Sequence, residues 1–306
     1  MNPHSEHPGT TDVSWREPIA TLARDHLPRD LAASWIALLR PAFVLDLSED
    51  GPVIGRLGGL PRLPEDHTWP QWRLSPDLPP MPLPYLAGLD CAAVPHDQLD
   101  ITLPRSGTLH FFASQGCCAE KPVRHQGSRV YYVPAGVPTR ECAEPPNPFE
   151  ERVVYEPVDL RARLIGTAPS MFSAYLCSTF WHPDPSYDFP YGYSWIDVAA
   201  SHITATFPPA FTEAVNREAQ HPGHRLGGWA PTSRWSPENA AWPRPDYPFR
   251  DLPEPGGRDP APGHLLFAVD GSHFDAAEYF AHWIIRPDDL AAYRFDRAWF
   301  SQTRRG

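Results

Sequence analysis

Arg56-Leu57-Gly58-Gly59 is written a second time in this chain, as Arg225-Leu226-Gly227-Gly228. Each copy is trailed by segments of the same kind. After the first come Tyr85-Leu86-Ala87-Gly88-Leu89-Asp90 and Gly107-Thr108-Leu109-His110-Phe111-Phe112. After the second come Leu265-Leu266-Phe267-Ala268-Val269-Asp270 and Tyr279-Phe280-Ala281-His282-Trp283-Ile284-Ile285. Both halves read as an Arg-Leu-Gly-Gly loop, an apolar strand ending in Asp, and a second apolar strand carrying His and aromatics. A period this long predicts an internal duplication folded into two pseudo-equivalent units rather than a solenoid.

Working outward from the first copy, residues 1–16 are polar and predict a tail. Pro18 suits the first turn of a helix with Ile19, Leu22, Ala23 and His26 along one face. A second helix opens near Asp30, with Leu31, Trp35, Leu38 and Leu39 as its apolar stripe, and Arg40-Pro41 ends it. Phe43, Leu45 and Leu47 alternate with Val44 and Asp46, a strand pattern. Residues 60–64, Trp69-Pro70 and 76–84 predict long ordered loops. Segments 107–113, 129–133, 152–158 and 160–165 read as further strands.

Between the two copies, 191–200 reads as a short helix, 203–207 as a strand, and Pro209 opens a helix carrying Phe211 and Val215. After the second copy, 230–262 is a proline-rich surface excursion. Strands at 265–270 and 278–285, a short helix from Pro287 and a last strand around 295–300 complete the domain, leaving 301–306 as a tail. Strands outnumber helices and their connections are long. The expected class is therefore α+β: a predominantly antiparallel sheet in two pseudo-repeated halves (17–165 and 166–300) of a single domain, with N-terminal helices and proline-rich loops.

Composition narrows the function classes. Formal net charge is -11, from 37 acidic against 26 basic side chains, which opposes binding to phosphate backbones; no nucleic-acid partner is expected. No run of eighteen apolar residues occurs, so no membrane span is expected. The 40 prolines in 306 residues far exceed the usual content of about 5%, but the chain also holds 11 Trp, 11 Tyr and 15 Phe. That aromatic content supplies a packed core, so the prolines are read as stiffening ordered loops. Five cysteines, odd in number and without a C-x-x-C pair, together with the lack of an apolar leader, give a cytoplasmic expectation.

The repeated loop offers positive-φ glycines and an arginine fork suited to a carboxylate. The expected partners are Asp90 for Arg56 and Asp270 for Arg225, locking the sheets. The functional alternative is a shared cleft, lined by Arg56, Gly58, Gly59, Asp90, Arg225, Gly227, Gly228 and Asp270, that meets an acidic ligand or a partner. Trp69 and Trp229 join that cleft as anchors for a sugar or a protein partner, while loop packing against proline rings is the plainer account of Trp69, Trp72, Trp229, Trp235 and Trp242.

This series of motifs resembles the YwqG-like family, the bacterial domain of unknown function 1963. The resemblance rests on Leu39-Arg40-Pro41-Ala42, Arg56 to Pro61, Trp69-Pro70, Pro84 to Cys91, Leu103 to Phe112, His224 to Gly228, Leu265 to Asp270 and Ile284 to Leu290. It covers roughly 27–300. Where the family often carries a Trp-Gly-Asp-rich segment, this chain has Gly271 to Glu278. The resemblance implies a binding or toxin-immunity role, without a settled enzymatic activity.

Three chemical constellations compete with that role. His221-x-x-His224 with His264, Asp270, His273, Asp275 and His282 has the ligand types of a zinc site, and a metal-assisted hydrolase built on the second half is the rival function. Pro222 and Gly223 break the helix that would align the His pair, so the histidines are read as dispersed surface or capping residues. Cys91 and His110, on adjacent strands, have the types of a thiolate–imidazole dyad, but a cysteine after a buried strand reads as an inert core residue. Vicinal Cys117-Cys118 is read as a loop feature. No G-x-S-x-G, P-loop or G-x-G-x-x-G occurs. The reading therefore assigns no catalytic residue, no metal and no cofactor, and expects a protein or small-ligand binder.

Overall fold

The computed structural model describes residues 15–46, 51–114, 123–124, 127–149, 152–181, 195–219, 223–231, 236–241 and 263–304. Pro18 sits in the first turn of α1 (Glu17–His26), which buries Ile19, Ala20 and Ala23. After Pro28, α2 (Arg29–Ile36) buries Ala32 and Trp35 and stops before Leu38 and Leu39, which are buried beyond its end. β1 (Arg40–Asp46) follows at once, so Pro41 stands at a strand's start rather than past a helix's end. Phe43 and Leu45 join the central core, and Ala42 and Val44 pack with Ile165 in a separate cluster. Both faces of β1 are thus covered.

The chain continues through β2 (Val53–Leu57), β3 (Arg62–Pro64), β4 (Gln71–Trp72), β5 (Met81–Pro82), β6 (Tyr85–Asp90), β7 (Thr108–Ala113) and β8 (Val123–Arg124). Next come β9 (Ser128–Val133), β10 (Thr139–Glu141), β11 (Val158–Thr167), α3 (Ala174–Phe180), α4 (Trp195–Thr206) and α5 (Pro209–Ala219). The last elements are β12 (His224–Gly227), β13 (His264–Asp270), β14 (Tyr279–Ile285), α6 (Pro287–Ala291) and β15 (Trp299–Arg304).

Eleven strands form one sheet in the order β8-β15-β14-β13-β12-β1-β11-β2-β6-β7-β9. Every pairing in it is antiparallel. The α+β, mostly antiparallel expectation holds. β1 and β11 form the middle; β2-β6-β7-β9 extends from β11 and β12-β13-β14-β15 extends from β1.

The sheet curls into a nearly closed barrel. Phe111 of β7 lies 4.6 Å from Phe267 of β13 and 5.1 Å from Trp283 of β14, although these strands are far apart in sheet order. Such contacts require the inner faces to meet, and one core cluster gathers Phe43, Leu57, Leu89, Phe111, Leu226, Phe267, Trp283 and Phe300. Near the seam, the Gln302 Nε2 donates to the Ser114 carbonyl at 3.2 Å. Helices α1 to α5 build a second cluster around Trp35, Phe207 and Phe211.

Three sequence expectations are corrected. The 152–158 strand is absent: β11 begins at Val158, and the segment before it is an extended strap whose Val153 and Tyr155 carbonyls accept from the Tyr85 and Gly59 N–H groups. The 203–207 strand is the end of α4, because Ile196, Ala199, Ala200, Ile203 and Phe207 recur at helical spacing and are all buried. The final strand starts at Trp299, after a 3-10 turn over Phe295–Arg297, and runs through Arg304, so 301–304 belong to the sheet and not to a tail.

Candidate functional site

Both repeated loops place two glycines in succession in the left-handed region: Gly58 at φ 57° and Gly59 at 73°, Gly227 at 72° and Gly228 at 70°. Space matters as much as φ. A Cβ on Gly58 would come within 2.6 Å of the Tyr155 and Glu156 carbonyls, and one on Gly228 within 2.6 Å of the Ala42 Cβ and the Thr167 Oγ1.

The registers also correspond. Arg56 stands opposite Gly88, which stands opposite His110; Arg225 stands opposite Ala268, which stands opposite His282. The arginines themselves part company, and neither ion pair expected from the sequence forms. Arg56 lies exposed and pairs with Asp159 at 3.1 Å, its cross-strand neighbour on β11. Arg225 is buried and donates to the Trp229 carbonyl at 2.8 Å and the Ala219 carbonyl at 3.3 Å. Burial pulls its pKa down to about 10, with Glu238 opposing the shift, so it is charged at neutral pH.

The two aspartates instead turn the chain at the ends of their strands. Asp90 Oδ1 accepts from the Ala92 N–H and Asp270 Oδ1 from the Ser272 N–H, each at 2.9 Å. Both tryptophans are packed. Trp69 Nε1 donates to the Leu83 carbonyl and the ring meets Phe112 edge-on. Trp229 Nε1 donates to the Leu38 carbonyl, and the Arg40 guanidinium lies 4.0 Å from the ring centroid. The candidate cleft residues are therefore distributed between an exposed sheet face and two buried layers. Trp235 and Trp242 lie outside the described residues.

An open cavity of about 280 Å³ lies where β1 ends, β12 begins and β13 ends. Leu45, Asp46, Gly223, His224, Asp270, Ser272 and His273 line it. It unites His224, Asp270 and His273, which share a set of zinc-ligand types in the sequence, with Leu45, Asp46, Gly223 and Ser272, which do not belong to that set. Gly223, at φ 115°, lets the chain pass close to the Leu45 carbonyl. Leu45 and His224 are cross-strand partners. Asp46 is partly exposed and pairs with Arg163 at 3.7 Å. His224 is only 5% exposed, and its Nδ1 accepts from the Asp270 backbone N–H at 3.2 Å. The proton of the neutral ring therefore sits on Nε2. Burial, with His273 nearby, lowers its pKa to about 3, so the ring is neutral at physiological pH.

The remaining histidines of the zinc reading do not converge on this cavity. His264 is at the opposite end of β13, His282 holds the Pro231 carbonyl at 3.2 Å, and Asp275 faces Arg152 at 3.8 Å. His221 lies outside the described residues. Among the described residues, no three His, Cys, Asp or Glu side chains are grouped to hold a metal ion. Of the histidines read as dispersed surface or capping residues, His224 and His282 are buried and each bonds a backbone group; His110 is buried as well, and burial lowers His110, His264 and His282 to about 4. His110 Nδ1 meets the Tyr85 hydroxyl at 3.0 Å, and burial pushes the Cys91 thiol up to about 12, the opposite of an activated nucleophile. Cys117 and Cys118 lie outside the described residues.

The cavity escaped the sequence reading because its walls come from three strands. Only the pairing of β1 with β12, distant in the chain, brings Asp46 to His224. The grouping of His224, Asp270 and His273 as zinc-ligand types is the signal the sequence offers, and it does not reach Asp46.

Comparison with known families gives one match. The model of a family described as Domain of unknown function (DUF1963) matches residues 55–302. The matched span starts within β2 and so excludes α1, α2 and β1. No curated protein matches the chain.

Proposed function

This chain belongs to the family of that model, DUF1963, and on that premise we propose that it is a non-catalytic binding module for a basic protein partner. The role in view is neutralising a bacterial toxin or modifying enzyme in the cytoplasm; a small cationic ligand is the lesser form of the same chemistry. The observation that carries the reading is a formal charge of -11 on a chain whose cavity is walled by Asp46 and Asp270. An acidic surface speeds encounter with a basic partner and weakens as salt screens it. The immunity role draws on the family resemblance.

We also infer that the two halves descend from one duplicated unit. The matched registers, the paired glycine conformations and the like turns at Asp90 and Asp270 support it. On this view the shared features are those of folding, while the arginines have diverged into an exposed and a buried one.

The test is affinity capture from the protein's own cells, followed by reconstitution with the purified partner. The expected partner is basic and is released as salt rises. Recovery of none, or of an acidic one indifferent to salt, would reject the reading. His224, Asp270 and His273 line one cavity without being grouped to hold a metal ion, so the metal-assisted hydrolase is the lesser reading. Zinc titration decides it: stoichiometric binding abolished by His224→Ala would favour the hydrolase, and its absence would remove it.

A further inference from the structure

The arginine of the second Arg-Leu-Gly-Gly heads a row of paired residues that crosses four strands: Arg225 on β12, Ala268 on β13, His282 on β14 and Ser301 on β15. Their chain neighbours Leu226, Phe267, Trp283 and Phe300 point into the barrel core, so by strand alternation this row lies on the outer face. It is sealed all the same. None of the four is more than 2% exposed, and the 3-10 turn Pro237–Ala241 packs over β13, β14 and β15. Three polar atoms of the row, Arg225 Nε, His282 Nδ1 and Ser301 Oγ, have no hydrogen-bond partner among the described residues. We propose that one water molecule is bound here, accepting from the Arg225 Nε–H, donating to His282 Nδ1 and meeting the Ser301 hydroxyl.

The first half of the sheet has the corresponding row, and there the histidine Nδ1 is satisfied. Arg56, Gly88, His110 and Tyr131 are paired across β2, β6, β7 and β9. The Tyr85 hydroxyl reaches back over Gly88, 2.5 Å from where a Cβ would sit, and meets His110 Nδ1 at 3.0 Å. β6 and β13 shift register at the same point before the middle residue, between Tyr85 and Ala87 and between Leu265 and Phe267. Leu265 therefore stands in β13 where Tyr85 stands in β6, and it brings no hydroxyl. The water supplies that oxygen.

The donors and acceptors select the guest. The Pro231 carbonyl, 3.2 Å from His282 Nε2, can only accept; burial keeps the ring neutral, so its proton is on Nε2 and Nδ1 needs a donor. Arg225 gives its Nη groups to the Trp229 and Ala219 carbonyls, and its Nε–H needs an acceptor. Glu238 is already held by the Ala230 N–H and the Ser236 hydroxyl, each at 2.6 Å. An anion has no hydrogen for His282, and an ammonium has no lone pair for Arg225. Water has both, and a buried water makes about three hydrogen bonds, the number offered here.

The test is 15N NMR of the full chain labelled in histidine, together with 17O relaxation dispersion, which counts waters held longer than molecular tumbling. The His282 signal is identified by its loss in His282→Gln. In the wild type its Nδ1 should resonate as a hydrogen-bonded acceptor, upfield of a free imidazole nitrogen, and should stay there in Ser301→Ala. The pair Leu265→Tyr with Ala268→Gly rebuilds the first-half arrangement: one long-lived water should disappear while Nδ1 remains hydrogen-bonded. A wild-type Nδ1 at the free position overturns the proposal without recourse to any variant. Release of Nδ1 in Ser301→Ala also overturns it, since the bond would then be to the serine hydroxyl directly. So does an unchanged count of long-lived waters in the folded double variant.

Discussion

A methyl group added at Gly58 has nowhere to go, since two carbonyl oxygens lie 2.6 Å from where it would sit and φ is 57°. Gly58→Ala should lower unfolding stability by about 3 kcal/mol in urea titrations, combining backbone strain with a main-chain shift. Gly136 provides the control: its φ is 84° but nothing lies within 4 Å of an added Cβ, so Gly136→Ala should cost about 1 kcal/mol, strain alone. The buried histidines give a second expectation. Their folded pKa values lie near 3 to 4, below the ordinary value of about 6.5, so the unfolded chain binds more protons in between. Stability is complete above pH 6.5 and is lost as pH falls toward 4. Urea midpoints measured across that window should drop steadily, and His282→Gln should make the drop shallower. The glycines were legible in sequence because only glycine tolerates such turns. The arginines were not: identical Arg-Leu-Gly-Gly words end exposed at Arg56 and buried at Arg225, because different layers cover the two strands.

At the scale of elements, Thr167 shows how β11, β1 and the second glycine loop are tied. Its Oγ1 donates to the Arg40 carbonyl at 2.8 Å and accepts from the Trp229 N–H at 2.9 Å. Thr167→Val fills the same volume and removes both bonds, stranding a buried N–H. The expected loss is about 2–3 kcal/mol, read as a lower thermal midpoint. Strands with continuous apolar runs, such as β7 and β14, were readable in advance. So were helices opened by proline, α1, α5 and α6. The strap over 152–157 has strand-like composition but pairs through carbonyls at scattered positions. α4 was split because Ile203 and Phe207 look β-like locally, whereas the helical spacing that includes Ile196 and Ala199 spans a longer window. The cavity was the least legible element, since it exists only where three separately encoded strands end together.

For the whole molecule, the strand order carries the main lesson. Apart from β8, which pairs with β15, neighbours within each flank follow one another along the chain, yet the central strands do not: β1 lies between β11 and β12, and β2 pairs with β11 rather than β1. The two flanks thus meet through β1 and β11. A nascent polypeptide emerging from the ribosome therefore displays β1 long before either edge is claimed. A chain halted before Val158 should stay protease-sensitive and prone to aggregate, and one halted after Arg304 should resist digestion, as pulse proteolysis of stalled translation products would reveal. Synthesis of this protein is thus expected to lean on chaperones for most of its length, holding an early strand open for companions not yet made.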